Sequence, residues 1–236
     1  MSAGYGLRRV GRESLRDQAC AGIRQGVLAG RFALGERVTI RALAASLGTS
    51  PTPVREALNQ LVAEGIFELL PNGSASIPPM TVERFAQLME MRLALEGLAA
   101  ERAAAAIDAR ALATVHGLLD DLRRLAGGGD FRSYLARHRA FHFAVYQAAG
   151  MPLLTEAIDG LWLRCGPVLT FVVPDYVLRK KGAAHHAALV AALAGGDGAA
   201  ARAAICGDIA DAGTWLQGLA GDDGVIQHPR AAARTA

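Results

Sequence analysis

The chain has 236 residues, 52% hydrophobic, 20% charged and only 6% aromatic, a well-buried, helix-favouring composition sufficient for one large or two small domains. Net charge is +3, but nine arginines face four acids through Gln60, so the first quarter carries +5 and the rest −2; a basic segment of this kind suits an anionic partner, nucleic acid first, or a solvated basic face. No run of about 18 uncharged apolar residues, no signal-peptide core before Arg8 and Arg9, and three widely spaced cysteines (Cys20, Cys165, Cys206) argue against a membrane span, a secretory leader and a disulfide framework, and lead us to expect a cytoplasmic protein.

The first predicted helix runs from Arg12 to Ala29, with Leu15, Ala19, Ile23 and Val27 recurring every four residues and Gly30 as its stop. Leu34-Gly35 marks a turn. Thr39 is placed to cap a short helix over Ile40–Leu47, and Gly48 suits its left-handed end. A third helix begins at Ser50-Pro51-Thr52-Pro53, buries Val54, Leu58, Leu61 and Val62, and ends at Gly65. Residues Ile66–Leu70 and Ser74–Ile77 flank Pro71-Asn72-Gly73, a hairpin signal. Three helices and a hairpin describe a winged helix-turn-helix.

Pro78-Pro79 is a natural boundary. Beyond it the periodicity predicts helices over Val82–Ala106, from a cap at Asp108 to about Leu125, from Asp130 to Gly150, from Met151-Pro152 to about Val173-Pro174, from about Tyr176 to Ala194, and over Ala199–Leu219. Glycine clusters at 127–129 and 195–198 separate them. The fold class expected is therefore mainly α: a winged helix-turn-helix over residues 8–78, an all-α antiparallel bundle over 79–221, and a loose polar tail over 222–236.

Several strings resemble known sequences. Val27-Leu28-Ala29-Gly30-Arg31-Phe32, Gly35-Glu36-Arg37-Val38 and above all Thr52-Pro53-Val54-Arg55-Glu56-Ala57-Leu58 look like the GntR family of bacterial transcription regulators. Met91-Arg92-Leu93-Ala94-Leu95-Glu96-Gly97-Leu98 and His186-Ala187-Ala188-Leu189, followed by Gly196-Asp197, resemble the FCD domain, the effector module of the FadR subfamily within GntR. The resemblance implies a homodimer that binds palindromic double-stranded operator DNA, commonly as a repressor. Carried over by position, it implies DNA contacts from Arg41, Thr52, Arg55 and the wing-tip Gly73. Arginine can grip a guanine edge or a phosphate with two hydrogen bonds. The family often has Arg where this chain has Pro51, and basic wing residues where it has Asn72 and Ser74, so fewer phosphate contacts are expected here.

The same resemblance assigns a divalent metal site. His138 stands where the family has Asp, His142 and His186 match its histidines, and Asp208 stands where its last His would be. The first and fourth ligands are exchanged, leaving three imidazoles and one carboxylate. The chemistry is consistent with that set. His138 and His142 share a helix face at i, i+4. His186 shares one with Val190 and Leu193, and Asp208 lies on a stripe with Ile205, Ala212 and Trp215. A carboxylate there costs several kcal/mol unless paired or bound to metal. Zinc, nickel or manganese suits the donors. The resemblance further implies a small carboxylate or sugar-acid effector, for which Arg92 and Arg164 are candidate anchors; Arg92 has an alternative role as a structural pair with Glu96.

Two other functions compete. A metal-dependent hydrolase could use the same ligands, but neither HExxH nor HxxEH occurs, and an enzyme is not expected. A DNA-binding regulator whose bundle only dimerises, without metal or effector, is the other alternative.

Overall fold

The computed structural model describes residues 14–172, 177 and 181–229. Arg8, Arg9 and Arg12, the expected helix ends at Val173-Pro174 and Tyr176, and the tail from 230 onward lie outside the described residues. Contacts divide the chain into two compact units, one built from the chain up to Gln25 with Glu36–Ile77, the other from Gly26–Gly35 with the chain from Pro78 on.

In the first unit, α1 (Leu15–Leu28, of which the part up to Gln25 belongs here), α2 (Ile40–Leu47) and α3 (Pro51–Ala63) follow the predicted order. Thr39 accepts a hydrogen bond from the Ala42 amide, and Gly48 closes α2 in the left-handed conformation at φ 63°. Gly65 does the same after α3, at φ 71°. α3 buries Val54, Ala57, Leu58 and Leu61. Arg24 pairs with Glu64, tying α1 to the end of α3.

The hairpin is present but short: β2 (Glu68–Leu69) pairs with β3 (Ala75–Ser76). Its loop is closed by Leu70 N–H to the Ser74 carbonyl at 2.8 Å and Gly73 N–H to the Leu70 carbonyl at 2.9 Å, with Gly73 at φ 76°. A third strand, β1 (Arg37–Val38), pairs antiparallel with β3, giving the order β1-β3-β2. The sequence reading had only a turn there, because two residues are too few for alternation to register.

The second unit is an α-helical bundle: α4 (Val82–Ala106), α5 (Ala109–Ala126), α6 (Phe131–Ala148), α7 (Pro152–Leu169), a 3₁₀ turn at Thr170–Val172, α8 (Lys181–Ala194) and α9 (Gly198–Gln217). Thr81, Asp108, Asp130 and Asp197 cap α4, α5, α6 and α9 with side-chain hydrogen bonds, each satisfying an otherwise orphaned amide. α4 is the central helix and packs against α6, α7, α8 and α9. Small residues let α9 approach it closely. A Cβ on Gly97 would stand 2.9 Å from Cys206 Sγ, and one on Gly213 would stand 2.8 Å from the Met89 methyl. α7 ends sooner than expected, with Pro167 inside its last turn. A proline there withdraws one helical amide and favours the tighter turn that follows.

The expectation of a loose tail from 222 is corrected for its first residues. Val225 bridges Thr81, Ile226 bridges Ala220, and Ile226 donates to the Met80 carbonyl at 2.8 Å. Ile226 is 1% exposed. Backbone pairing, such as Val82 N–H to the Gly224 carbonyl at 2.9 Å and Gln227 N–H to the Leu219 carbonyl at 3.1 Å, docks the segment together with the buried Ile226, a signal easily lost in its composition.

Candidate functional site

Four predicted ligands converge in the bundle. α6 supplies His138 and His142, α8 supplies His186, and α9 supplies Asp208. One donor atom of each lies within 4.8 Å of all the others. His138 Nε2 and His142 Nε2 are 3.0 Å apart. Asp208 places Oδ2 3.5 Å from His142 Nε2 and Oδ1 3.4 Å from His186 Nε2. Donors held about 2.0–2.2 Å from one ion stand about 3.0–3.5 Å from each other, so these separations suit a shared ion. His142, His186 and Asp208 are buried, and His138 is half-buried. His186 Nε2 is buried and has no hydrogen-bond partner among the described residues other than its 3.4 Å ion-pair contact with Asp208. A buried imidazole nitrogen facing a carboxylate at this distance fits a ligand position for a divalent ion.

The tautomer of His142 follows from a proton count. Glu96 accepts from Arg92 Nε at 2.6 Å and from Nη2 at 3.3 Å. Tyr146 gives its single hydroxyl proton to Glu96, so toward His142 Nδ1, 3.0 Å away, the hydroxyl can only accept. Nδ1 therefore carries the ring hydrogen, and Nε2 is left with a free lone pair facing the other ligands. In the ion-free pair, His138 must supply the hydrogen between the two Nε2 atoms.

Burial depresses the His138 imidazole to about 3, with His186 and Arg92 adding to the effect and Asp208 opposing it. His142 is driven well below the ordinary histidine value, first by burial and then by His138. Burial would raise the Asp208 carboxyl, but the three imidazoles around it hold it below the usual carboxylate range. Unfolded histidine titrates at about 6.5. As pH falls from about 6.5 toward 3, the unfolded chain takes up protons that the folded imidazoles refuse, and stability is lost. Urea unfolding of the metal-free protein is expected to show at least about 1 kcal/mol less stability at pH 5 than at pH 7.5. Equal or greater stability at pH 5 would contradict buried neutral imidazoles.

A cavity of about 100 Å³ opens over this cluster, lined by His138, His186, Asp208, Trp162 and Arg92 among mostly apolar side chains. Arg92 reaches the cavity wall, yet its guanidinium is committed to Glu96 and lies 5.0 Å over the Trp162 ring. Both Arg92 and Glu96 are buried. Arg164 is half-buried on α7 and is not among the residues lining the cavity. His185 points away from the cluster to Asp211, 3.0 Å from its carboxylate.

Sequence reasoning missed Tyr146 and Trp162. Tyr146 stands four residues beyond His142, so the same i, i+4 spacing that linked the histidines could have found it. Trp162 carried no local signal. Its Nε1 is buried without an acceptor among the described residues, a fact that only packing reveals.

In the first unit, Arg41, Thr52 and Arg55 are all exposed, on α2 and on the opening turns of α3. Gly73 stands exposed at the tip of the hairpin. Ser50 makes no side-chain cap, and Pro51 and Pro53 lack amide hydrogens, so the start of α3 offers a phosphate fewer backbone donors than an ordinary helix N-terminus.

Comparison with known proteins covers both units. The model of the bacterial regulatory proteins of the gntR family matches residues 15–77, and that of the FCD domain matches residues 87–211. The chain is 33% identical over 138 residues to the HTH-type transcriptional regulator McbR of Escherichia coli, an alignment spanning 58% of this chain and 62% of McbR. It is 32% identical over 190 residues to the probable D-xylose utilization operon transcriptional repressor of Paenarthrobacter nicotinovorans, spanning 80% of this chain and 83% of that one. The solved structure of McbR superposes with a TM-score of 0.78 at 27% identity, over 86% of this chain and 95% of that one.

Proposed function

Because the chain belongs to the GntR family of bacterial regulatory proteins and carries an FCD domain, we propose that it is a homodimeric, ligand-responsive transcription regulator of the FadR type, acting as a repressor. The winged unit binds double-stranded operator DNA, and the bundle binds a divalent ion and a small carboxylate or sugar acid. The observation that carries the sensing half is the convergence of His138, His142, His186 and Asp208 beneath a cavity.

Each residue has a distinct task. Arg55 and Arg41 stand exposed on the helices that would meet DNA, where an arginine reads guanine or clamps phosphate. Thr52 and Gly73 fit close approach to the backbone at the start of α3 and at the wing. The three imidazoles and Asp208 would hold zinc, nickel or manganese. When bound, the ion supplies a Lewis-acidic position open to a ligand's carboxylate. Ligand binding then shifts the population between forms of different operator affinity, and the coupling is reciprocal: operator changes ligand affinity by the same factor.

The test has two parts. Elemental analysis of the wild type beside His142→Ala is expected to show near one divalent ion per chain, lost in the variant. No metal after reconstitution with zinc, nickel and manganese leaves a regulator whose bundle senses no ion. With an operator selected from random duplexes, Arg55→Ala is expected to weaken binding at fixed salt by about 1–3 kcal/mol and to relax base preference. Unchanged affinity would remove Arg55 from the interface.

A further inference from the structure

We propose that the cavity over the His/Asp cluster takes an apolar monoanion, a monocarboxylate with a compact hydrocarbon or aromatic body, and that Trp162 Nε1 donates a hydrogen bond to it. This narrows the proposed effector class and rests on the metal reading above.

Charge comes first. Metal-ligating imidazoles are neutral, so three of them, one carboxylate and a divalent ion leave a net +1. A monoanion neutralises that charge, whereas a dianion leaves an extra negative charge in an apolar cavity. Among the described residues, the arginines that line the cavity are already paired. Arg92 is held by both oxygens of Glu96, Arg123 pairs with Asp120, and Arg139 pairs with Asp159. Each of these charges is already balanced by a carboxylate of the protein, and Arg139 Nε, buried without a partner among the described residues, can donate one further hydrogen bond to a bound anion.

Polarity comes next. Among the described residues, most of the wall is apolar, chiefly Leu119, Leu122, Val172 and Ile209 with the rings of Tyr134 and Trp162. Of the two hydroxyl residues in the described wall, Thr170 already donates to the Pro167 carbonyl at 2.7 Å, and Tyr134 contributes a phenol. A sugar acid brings several hydroxyls, each costing about 1–3 kcal/mol if buried without a partner. A hydrocarbon body instead gains from burial, about 25 cal/mol per Å².

Two further observations set size and orientation. A space of about 100 Å³ suits a body near the size of a benzene ring. Trp162 is 4% exposed, and its Nε1 has no acceptor among the described residues. A buried indole N–H without a partner points to an acceptor brought by a ligand.

The experiment is calorimetric titration of full-length, zinc-reconstituted protein with benzoate, cyclohexanecarboxylate, D-gluconate and succinate, with zinc content measured on the same sample. Benzoate and cyclohexanecarboxylate are expected to bind at least tenfold more tightly than the other two. Chelating the zinc should weaken them at least tenfold, and Trp162→Phe should weaken them two- to tenfold, the reach of one hydrogen bond. The ranking is read on the wild type, so it stands even if the variant folds poorly. Stoichiometric zinc with gluconate or succinate binding as tightly as benzoate, or with no binding by the apolar acids, overturns the apolar assignment and leaves the metal centre standing. Failure to retain zinc overturns the centre, and the charge argument falls with it.

Discussion

Glu96→Ala is expected to destabilise the helical unit by about 3–5 kcal/mol, the usual cost of leaving a buried charge without its partner. Glu96 is fully buried and Arg92 is 4% exposed. Glu96 holds the Arg92 guanidinium above its ordinary value against the opposing effect of burial; without Glu96 that support is lost, but the intrinsic basicity of arginine is high enough to keep the stranded group charged. The Tyr146 hydroxyl also loses its acceptor. Urea unfolding of the metal-free protein measures the effect without a contribution from ligand binding. Glu96→Gln keeps an acceptor for Tyr146 but not the charge, and should fall between wild type and Glu96→Ala. A double change of Arg92 and Glu96 to apolar residues of matching volume should recover most of the loss, because no charge is then stranded. A loss below about 1 kcal/mol for Glu96→Ala would place the pair among solvated ion pairs.

Tyr146→Phe is expected to lower metal affinity by about 10–100-fold, the range typical of a lost outer-shell partner. The hydroxyl touches no proposed ion position. It acts through His142, accepting from Nδ1 at 3.0 Å and so keeping Nε2 unprotonated toward His138, His186 and Asp208. Without it, His142 is free to adopt the other tautomer, which presents a hydrogen where a lone pair is required. Competition with a chelator of known affinity reads the loss. The visible absorption of a cobalt-substituted sample reads the geometry, which a purely structural role would leave unchanged. Equal affinity and an unchanged spectrum in Tyr146→Phe would mean that the hydroxyl does not set the tautomer. Because the hydroxyl also satisfies Glu96, a modest stability loss accompanies the change and is scored separately.

Helix α4 shows how far local chemistry reaches. Its bounds, Val82–Ala106, coincide with those read from periodicity, because Pro78-Pro79 before it and Asp108 after it are strong local punctuation. The caps at Thr39 and Asp108 and the left-handed Gly48 were legible for the same reason: a capping side chain and its target amide lie within four residues. β1 was not legible, since its pairing with β3 joins residues far apart in the chain. The docking of Ile226 beside Met80 escaped for the same reason.

The candidate centre divides along the same line. The i, i+4 spacing put His138 and His142 on one helix face, and the family resemblance assigned them, with His186 and Asp208, as a ligand set. Amphipathic stripes then placed the last two on inward faces, because a helix face is determined by spacing alone. Whether those faces met at one point was a question of how α6, α8 and α9 pack around α4, and only the tertiary structure answered it. Packing also decided that Arg92 is spent on Glu96, that Tyr146 dictates the proton position on His142, and that Trp162 has an unanswered donor. Local propensity, capping and periodicity act over a few residues and are written in the order of the chain. Burial, partner choice and tautomer are set by neighbours from distant segments, and they exist only once the helices have closed on one another.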